Sequence, residues 1–226
     1  MNYFTSDTHF GHKSICGKNG FEKARSYFNS TEEMDKHLVN AWNSVVSPKD
    51  TVYHLGDFSL LTTFRYMRDI ISQLNGRIIW LAGNHDSSKV GRQLEGYFSE
   101  ITICGEPKLT FIDGSTRIKL NGKTLYLGHF GQLTGARKDV FSIHGHIHSE
   151  KPLFTNHVNV GVDNTEPEFS DISFGVPISE AQLLKCLSQR AKIMKENDEC
   201  TLHNTKEELG CHQELCDVIE DNFYLK

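Results

Sequence analysis

The chain has no uninterrupted apolar stretch of the length a bilayer requires, and no positively charged start leading into an apolar run of the secretory kind. Lys and Arg form no single basic block, and no basic stretch is interleaved with aromatics in the way that tracks nucleic-acid strands. There is no Cys-x-x-Cys pair: Cys16, Cys104, Cys186, Cys200, Cys211 and Cys216 are irregularly spread. These absences argue against a membrane span, a duplex nucleic-acid partner and a disulfide framework, and they set an expectation of free thiols in a reduced, cytoplasmic setting. No internal repeat or low-complexity block interrupts the chain.

A length of 226 residues suits one substantial domain with an appendage. The formal net charge is −5. Residues 198–226 hold eight acids and two lysines, a balance of −6, and leave +1 for residues 1–197 with 22 basic and 21 acidic side chains. The boundary is therefore expected at residue 197, between a main domain and an acidic C-terminal segment with helical stretches over 205–209 and 211–223. Leu209, Leu215, Val218, Ile219 and Phe223 make an apolar stripe that needs cover from the same subunit or from a neighbour, which sets an expectation of homo-oligomers formed through this segment. Cys200, His203, Cys211, His212 and Cys216 have spacings too irregular for a zinc cluster and read as free side chains.

What the sequence does contain is a regular alternation. NYFTSD reads as a short strand running into Asp7 and His9. STEEMDKHLVNAWNSVV opens with Ser30 and Glu33 in capping-box spacing and sets Met34, Leu38, Ala41, Trp42 and Val45 on one helical stripe. TVYHL is a strand ending at Gly56-Asp57, FRYMRDIISQLNG a helix stopped at Gly76, and RIIWLA a strand ending at Gly83-Asn84-His85-Asp86. This first part is α/β, with polar residues at strand ends, where open sheets place ligands. Further on, Asp113-Gly114 and Asn121-Gly122 separate alternating apolar runs, the pattern of hairpins and of a more antiparallel sheet. VFSIHGHIH and NHVNVGVDN read as two more strands, and ISEAQLLKCLSQRAKIMKEN as a long helix with Ser179 and Gln182 in capping-box spacing. Stretches 11–29 and 87–108 read as loops without a code.

The run IHGHIHSE puts His144, His146 and His148 at alternate positions, on one face if the chain stays extended. Such crowding is costly for protonated rings and natural around a metal. Asp7, His9, Asp57, Asn84, His85 and His129 also follow short β-like runs. Oxygen and nitrogen donors without a thiolate suit Mn²⁺, Fe²⁺, Ni²⁺ or Zn²⁺, and they are too many for one ion. His37 reads as solvated and His54 as a packed neighbour of the second strand end. His12, and more weakly His157, are placed to face a substrate. Lys13, Lys18, Lys89, Arg92, Arg137 and Lys138 lie in loops near these residues, with either substrate phosphates or solvent as partners.

In order and spacing, TSDTHFGH, YHLGDF, LAGNHD, LGHF and HGHIH resemble the calcineurin-like metallophosphoesterase superfamily, whose pattern is D-x-H, G-D, G-N-H-[DE], H and G-H-x-H. Its small bacterial and phage members are also similar in SDTHFGH and NVGVD, and the resemblance covers residues 3 to 163. It implies a four-layer α/β/β/α sandwich with two mixed sheets and a groove at the strand ends. It also implies Asp7, His9, Asp57 and His148 around one ion and Asp57, Asn84, His129 and His146 around a second, with Asp57 bridging and His144 outside the pattern. His85 would approach the leaving group or the phosphate with Asp86 as its orienting partner, and Asn84, His85 and His12 would face the substrate. The activity implied is hydrolysis of a phosphoester by a metal-bridging hydroxide, with two divalent ions, Mn²⁺ foremost. A small nucleotide-like phosphodiester is the expected substrate, ahead of a phosphomonoester or phosphoprotein; a nuclease or a non-catalytic binding module ranks lower. Four ionic charges less Asp7, Asp57 and one hydroxide leave about +1 for a phosphate anion.

Overall fold

A computed structural model describes residues 1–196 apart from Thr62 and Ala136. The expected acidic segment, with its apolar stripe and its Cys and His residues, lies outside the described residues. Along the chain run β1 (Asn2–Thr5), α1 (Thr31–Val45), β2 (Thr51–His54), α2 (Phe64–Gln73), β3 (Arg77–Leu81), α3 (Ser88–Phe98), β4 (Thr102–Ile103), β5 (Glu106–Pro107), β6 (Leu109–Ile112), β7 (Thr116–Leu120), β8 (Lys123–Leu127), β9 (Val140–His144), β10 (His157–Asn159), β11 (Ile178–Ser179) and α4 (Glu180–Glu196).

Parallel neighbours need crossovers, and α1, α2 and α3 supply them between β1, β2, β3 and β6. With β11 added antiparallel on the edge, these strands form a five-stranded sheet in the order β11-β1-β2-β3-β6. Alternation along each strand then separates two cores. Val52, Ile78, Trp80, Leu109 and Phe111 pack against Met34, Leu38 and Trp42 of α1, Met67 and Ile71 of α2, and Leu94 and Phe98 of α3. Phe4, Leu55 and Leu81 point the other way, onto Leu125, Leu127, Phe141, Ile143 and Val158 of a second sheet in the order β10-β9-β8-β7. Helix α4 adds Leu183, Cys186 and Leu187 to this second core. On the far face of the second sheet, chain from the β8–β9 connection lies against Ser142, with Gln132 N donating to Ser142 Oγ at 2.8 Å. No helix among the described residues is long and apolar enough to cross a membrane.

Helix starts follow the capping chemistry. Ser30 Oγ accepts from Glu33 N at 3.1 Å, while the Glu33 carboxylate reaches one residue further back than a standard box, to Asn29 N at 2.8 Å. At α4 the box is reciprocal, with Ser179 N donating to Gln182 Oε1 at 2.9 Å and Gln182 N to Ser179 Oγ at 3.3 Å. On α1 the buried stripe takes Val39 in place of Val45, which is 37% exposed because it sits on the last turn.

Three expectations are corrected. Of the two dipeptides, only Asn121-Gly122, with φ of 44° and 77°, closes a hairpin, between β7 and β8. Asp113-Gly114 instead carries the chain from one sheet to the other, since β6 pairs with β3. Consequently the second sheet is mostly parallel, β8 with β9 and β9 with β10. Finally, 87–108 holds α3 and the β4–β5 pair. Gly91 and Gly96 lower the helical signal of that stretch.

The two glycines have opposite reasons to be there. A Cβ on Gly91 would meet the ring of buried Phe111 at 2.4 Å, whereas one on Gly96 would meet nothing within 4 Å. Gly96→Ala is therefore expected to stabilise the protein by roughly 0.5–1 kcal/mol through helix propensity, and Gly91→Ala to destabilise it by roughly 1–3 kcal/mol despite the same gain. Urea unfolding of the two variants checks this; equal shifts would contradict the packing of α3 on β6.

Candidate metal centre

The loops leaving β1, β2 and β9 turn sharply, and the residues at those turns are the ones singled out by chemistry. Asp7, His9, Asp57, His146 and His148 all have positive φ, at 58°, 49°, 53°, 70° and 48°. Left-handed backbone disfavours residues with a Cβ, so the concentration of such strain here marks a functional site. It also corrects the extended reading of IHGHIHSE: β9 ends at His144, and the next two histidines lie on turns.

Asp7, His9 and His148 form one group whose ligand atoms lie within 4.8 Å of one another, and Asp57, His129 and His146 form another. His9 Nε2 is buried without a hydrogen-bond partner and faces Asp57 Oδ2 at 3.5 Å and Asp7 Oδ1 at 4.0 Å. Two donors held about 2.1 Å from one ion stand roughly 3 to 3.5 Å apart, so an orphaned nitrogen between two carboxylates fits a cation. On the other side, His129 Nδ1 lies 3.0 Å from Leu55 O, which leaves Nε2 directed at Asn84 Oδ1 at 2.9 Å and Asp57 Oδ2 at 3.3 Å. The His146 ring is 5.0 Å from that of His129.

The remaining histidines separate by position. His85 is exposed, with its ring 5.5 Å from His9 and 6.3 Å from His12. His12 lies at the site, its Nδ1 3.3 Å from His9 Nδ1. His144 is in neither ligand group; it is buried 5.5 Å from His157, with Nδ1 near Gly145 O at 2.8 Å. His54 packs against Phe58 and lies 2.9 Å from Thr8 Oγ1.

Asp86 does not orient His85. Its carboxylate accepts from Asp57 N, Gly83 N, Phe58 N and Trp80 Nε1 at 2.8, 2.8, 2.9 and 3.0 Å, stapling the loop after β2 to the loop after β3. The reach of a short carboxylate is used up on three backbone N–H groups and the Trp80 indole. Two glycines of the sequence motifs exist for clearance: a Cβ on Gly83 would lie 2.3 Å from Asp57 Oδ1, and one on Gly145 would lie 2.2 Å from Asp7 Oδ2.

Sequence reasoning missed Arg25 and Asp163. Arg25 is fully buried; its Nε donates to Asp163 Oδ1 at 2.8 Å, and its Nη groups to Asp163 Oδ2, Asp7 O and Thr8 O. Asp163 Oδ2 in turn lies 2.9 Å from His148 Nδ1, fixing that ring with Nε2 toward Asp7 and His9. Asp163 was visible as the last residue of NVGVD, but nothing local marks Arg25. Glu22 joins His148 and Asp163 in a third cluster of donor atoms.

Electrostatics follow from burial. Desolvation pushes Asp7 up to about 6 against the pull of His129 and His148. Asp57 is also desolvated, but the hydrogen bond and charge of His129 and the His85 N–H hold it at about 2. Burial and the Arg25 charge hold His9 neutral down to about 2, as a ligand needs. For His148, burial lowers the basicity but the Asp163 hydrogen bond outweighs it, raising the value; Asp57 does the same for His129.

Two sets of imidazole and carboxylate donors at the strand ends of a two-sheet α/β fold make a candidate centre for divalent metal ions. The chain belongs to the calcineurin-like phosphoesterase family, whose model matches residues 3–199. Over 85 residues it is 41% identical to the uncharacterized protein MJ1445 of Methanocaldococcus jannaschii, a match taking in 37% of this chain and 46% of that protein. Over 86 residues it is 40% identical to the Gene 66 protein of Mycobacterium phage L5, covering 37% of this chain and 39% of that one. The matched segments thus span less than half the length of either relative. Among solved structures, AQ665 of Aquifex aeolicus, a protein of unknown function, superposes with a TM-score of 0.55 at 26% identity, over 82% of this chain and 98% of that one.

Metal-free Asp7 takes up a proton on folding between its ordinary 3.8 and about 6, so the stability it contributes falls as pH rises through that window. Above it, the buried charge costs roughly 3 kcal/mol. Asp7→Asn is expected to melt no lower than the wild type in chelator at pH 7.5, and to lose most of the rise in Tm that Mn²⁺ gives the wild type. A metal-free variant that melts well below the wild type would contradict this. Metal analysis is expected to separate the histidines: His146→Ala and His148→Ala should each lose an ion, and His144→Ala should keep its full content.

Proposed function

We propose that the protein is a dinuclear phosphodiesterase acting on a small nucleotide-like diester. The observation that carries this reading is the placement of Asp57 Oδ2, 3.5 Å from His9 Nε2 and 3.3 Å from His129 Nε2, within reach of both ligand groups at once. Asp7, His9, Asp57 and His148 would hold one ion, and Asp57, Asn84, His129 and His146 the other. Two such ions would supply positive charge for the phosphoryl oxygens and lower the pKa of a water.

The chain's own residues supply the rest. Neutral imidazoles and the Asn84 amide hold charge without adding any, so among the proposed ligands only Asp7 and Asp57 oppose an approaching phosphate. Arg25 neutralises Asp163 and removes a third carboxylate from that account. His85 is tied to the bridging residue by its backbone, His85 N donating to Asp57 Oδ1 at 2.9 Å, while its exposed ring stays open to a ligand. From there it can give a proton to a departing alkoxide. A sugar alkoxide is a poor leaving group and benefits from such an acid.

Protein loaded with Mn²⁺ is expected to turn over bis-p-nitrophenyl phosphate faster than p-nitrophenyl phosphate. The reverse order would favour a phosphomonoesterase, and no turnover by folded, metal-loaded protein would leave a binding module. His85→Asn should keep its metal and lose about 10²–10⁴-fold in kcat on a diester with an alkoxide leaving group, but only about tenfold or less on the nitrophenyl diester, whose leaving group needs no acid. Equal losses on both would remove His85 from the role of acid.

A further inference from the structure

Beside the second ligand group the ends of the two sheets do not meet, and they leave a cavity of about 290 Å³. Ala82 after β3, Gly114 between β6 and β7, and Gly128 after β8 line it together with His129, Phe130 and Gln132. The Phe130 ring is 54% exposed, unusual for a phenylalanine, and stands 5.1 Å from the His129 ring and 4.6 Å from the His146 ring. Gln132 brings an amide to the cavity wall: a Cβ on Gly128 would lie 2.7 Å from its Nε2. That amide makes no hydrogen bond with the described residues. Apart from His129, no ionisable side chain lines the space.

We infer that this cavity is the subsite for a neutral, planar, hydrogen-bonding ring carried by the phosphoester, a nucleobase being the chemical class it fits, with Phe130 as its stacking surface and Gln132 as its polar contact. The inference rests on the metal-centred reading above, which places the phosphate between the two ligand groups. The volume is at the bottom of the range of small-molecule sites, about 300 Å³, enough for one ring system and too small for a whole dinucleotide. An apolar floor of glycine and alanine lets a flat ring lie close to backbone, and the absence of charge selects against a second phosphate or carboxylate in that position. The cavity also gives direction to the substrate. His85 stands on the other side, by His9 and His12, so the ring in the cavity belongs to the ester group that stays on the phosphate and the leaving group departs toward His85. On that departing side the exposed Phe21 lies edge-on to His12 at 5.6 Å.

Binding can be read without turnover by titrating the Mn²⁺-loaded protein calorimetrically with phenylphosphonate and methylphosphonate, which share the anion and differ in the ring. The wild type is expected to bind the phenyl compound about tenfold more tightly, as one stacked ring supplies. Phe130→Ala, at an exposed position where folding is not at stake, and Ser115→Phe, which fills the cavity from its remaining wall, should each bring the ratio to about two or less while leaving methylphosphonate affinity and metal content unchanged. Equal wild-type affinities, or a ratio that survives both variants, would overturn the subsite and leave the metal-centred reading standing. Failure of metal-loaded protein to bind either phosphonate would overturn that reading and the subsite with it.

Discussion

The proposed ligand residues lie on five different loops and have to reach common points, and on three of those loops the chain meets this by bending its backbone into the left-handed region at Asp7, His9, Asp57, His146 and His148. At a cost of order 1 kcal/mol or more for each, such a set persists only where the surroundings over-determine it. The surroundings do so. Asp86 spends its whole carboxylate on the loop after β2 and the loop after β3, and Arg25 donates to the carbonyls of Asp7 and Thr8 between the first two ligands. The Asp7 carboxylate accepts from His146 N, which ties the loop after β1 to the one after β9. Strain in one loop is thus held by hydrogen bonds from another.

Arg25 also settles the charge of the site. A guanidinium with no solvent contact is tolerated because Asp163 pairs with it through two bonds and carbonyl oxygens take the rest. Asp163 is thereby free to orient His148 without adding net negative charge to the site. The pair gives the ring a fixed tautomer and keeps the pocket's charge where the ligand count put it.

The fold's first half was readable because each step has a local cause: alternating burial in β2 and β3, a cap at Ser30, a stop at Gly76. The residues gathered in the two donor groups were readable for a related reason, since they follow strands directly and fall in short motifs. What escaped reading depended on distant parts of the chain. Asp113-Gly114 carries the same local signal as Asn121-Gly122, and only the pairing of β6 with β3 decides that one is a crossover and the other a hairpin. Helix α3 was hidden by Gly91, which is there for the Phe111 ring on another strand. Asp86 looked like a partner of the histidine beside it and serves backbone groups as far back as Asp57. Arg25 sits in a stretch with no motif, and its role appears only when Asp163 is folded onto it.

The two sheets contribute to the centre from opposite sides of the second core. Asp7, Asp57 and Asn84 follow strands of the five-stranded sheet, while His129, His146 and His148 follow strands of the four-stranded one. A cation bound by donors from both halves is therefore a cross-link over the mouth of the inter-sheet core, joining segments far apart in the chain. Opening of that core and release of the ion become one coupled equilibrium: solvent cannot part Leu55 and Leu81 from Leu127 and Ile143 at this edge without stretching the ligand set, and chelation makes the same breathing motion cheaper. The affinity of the centre for its metal is in this sense also a measure of how tightly the sandwich is shut.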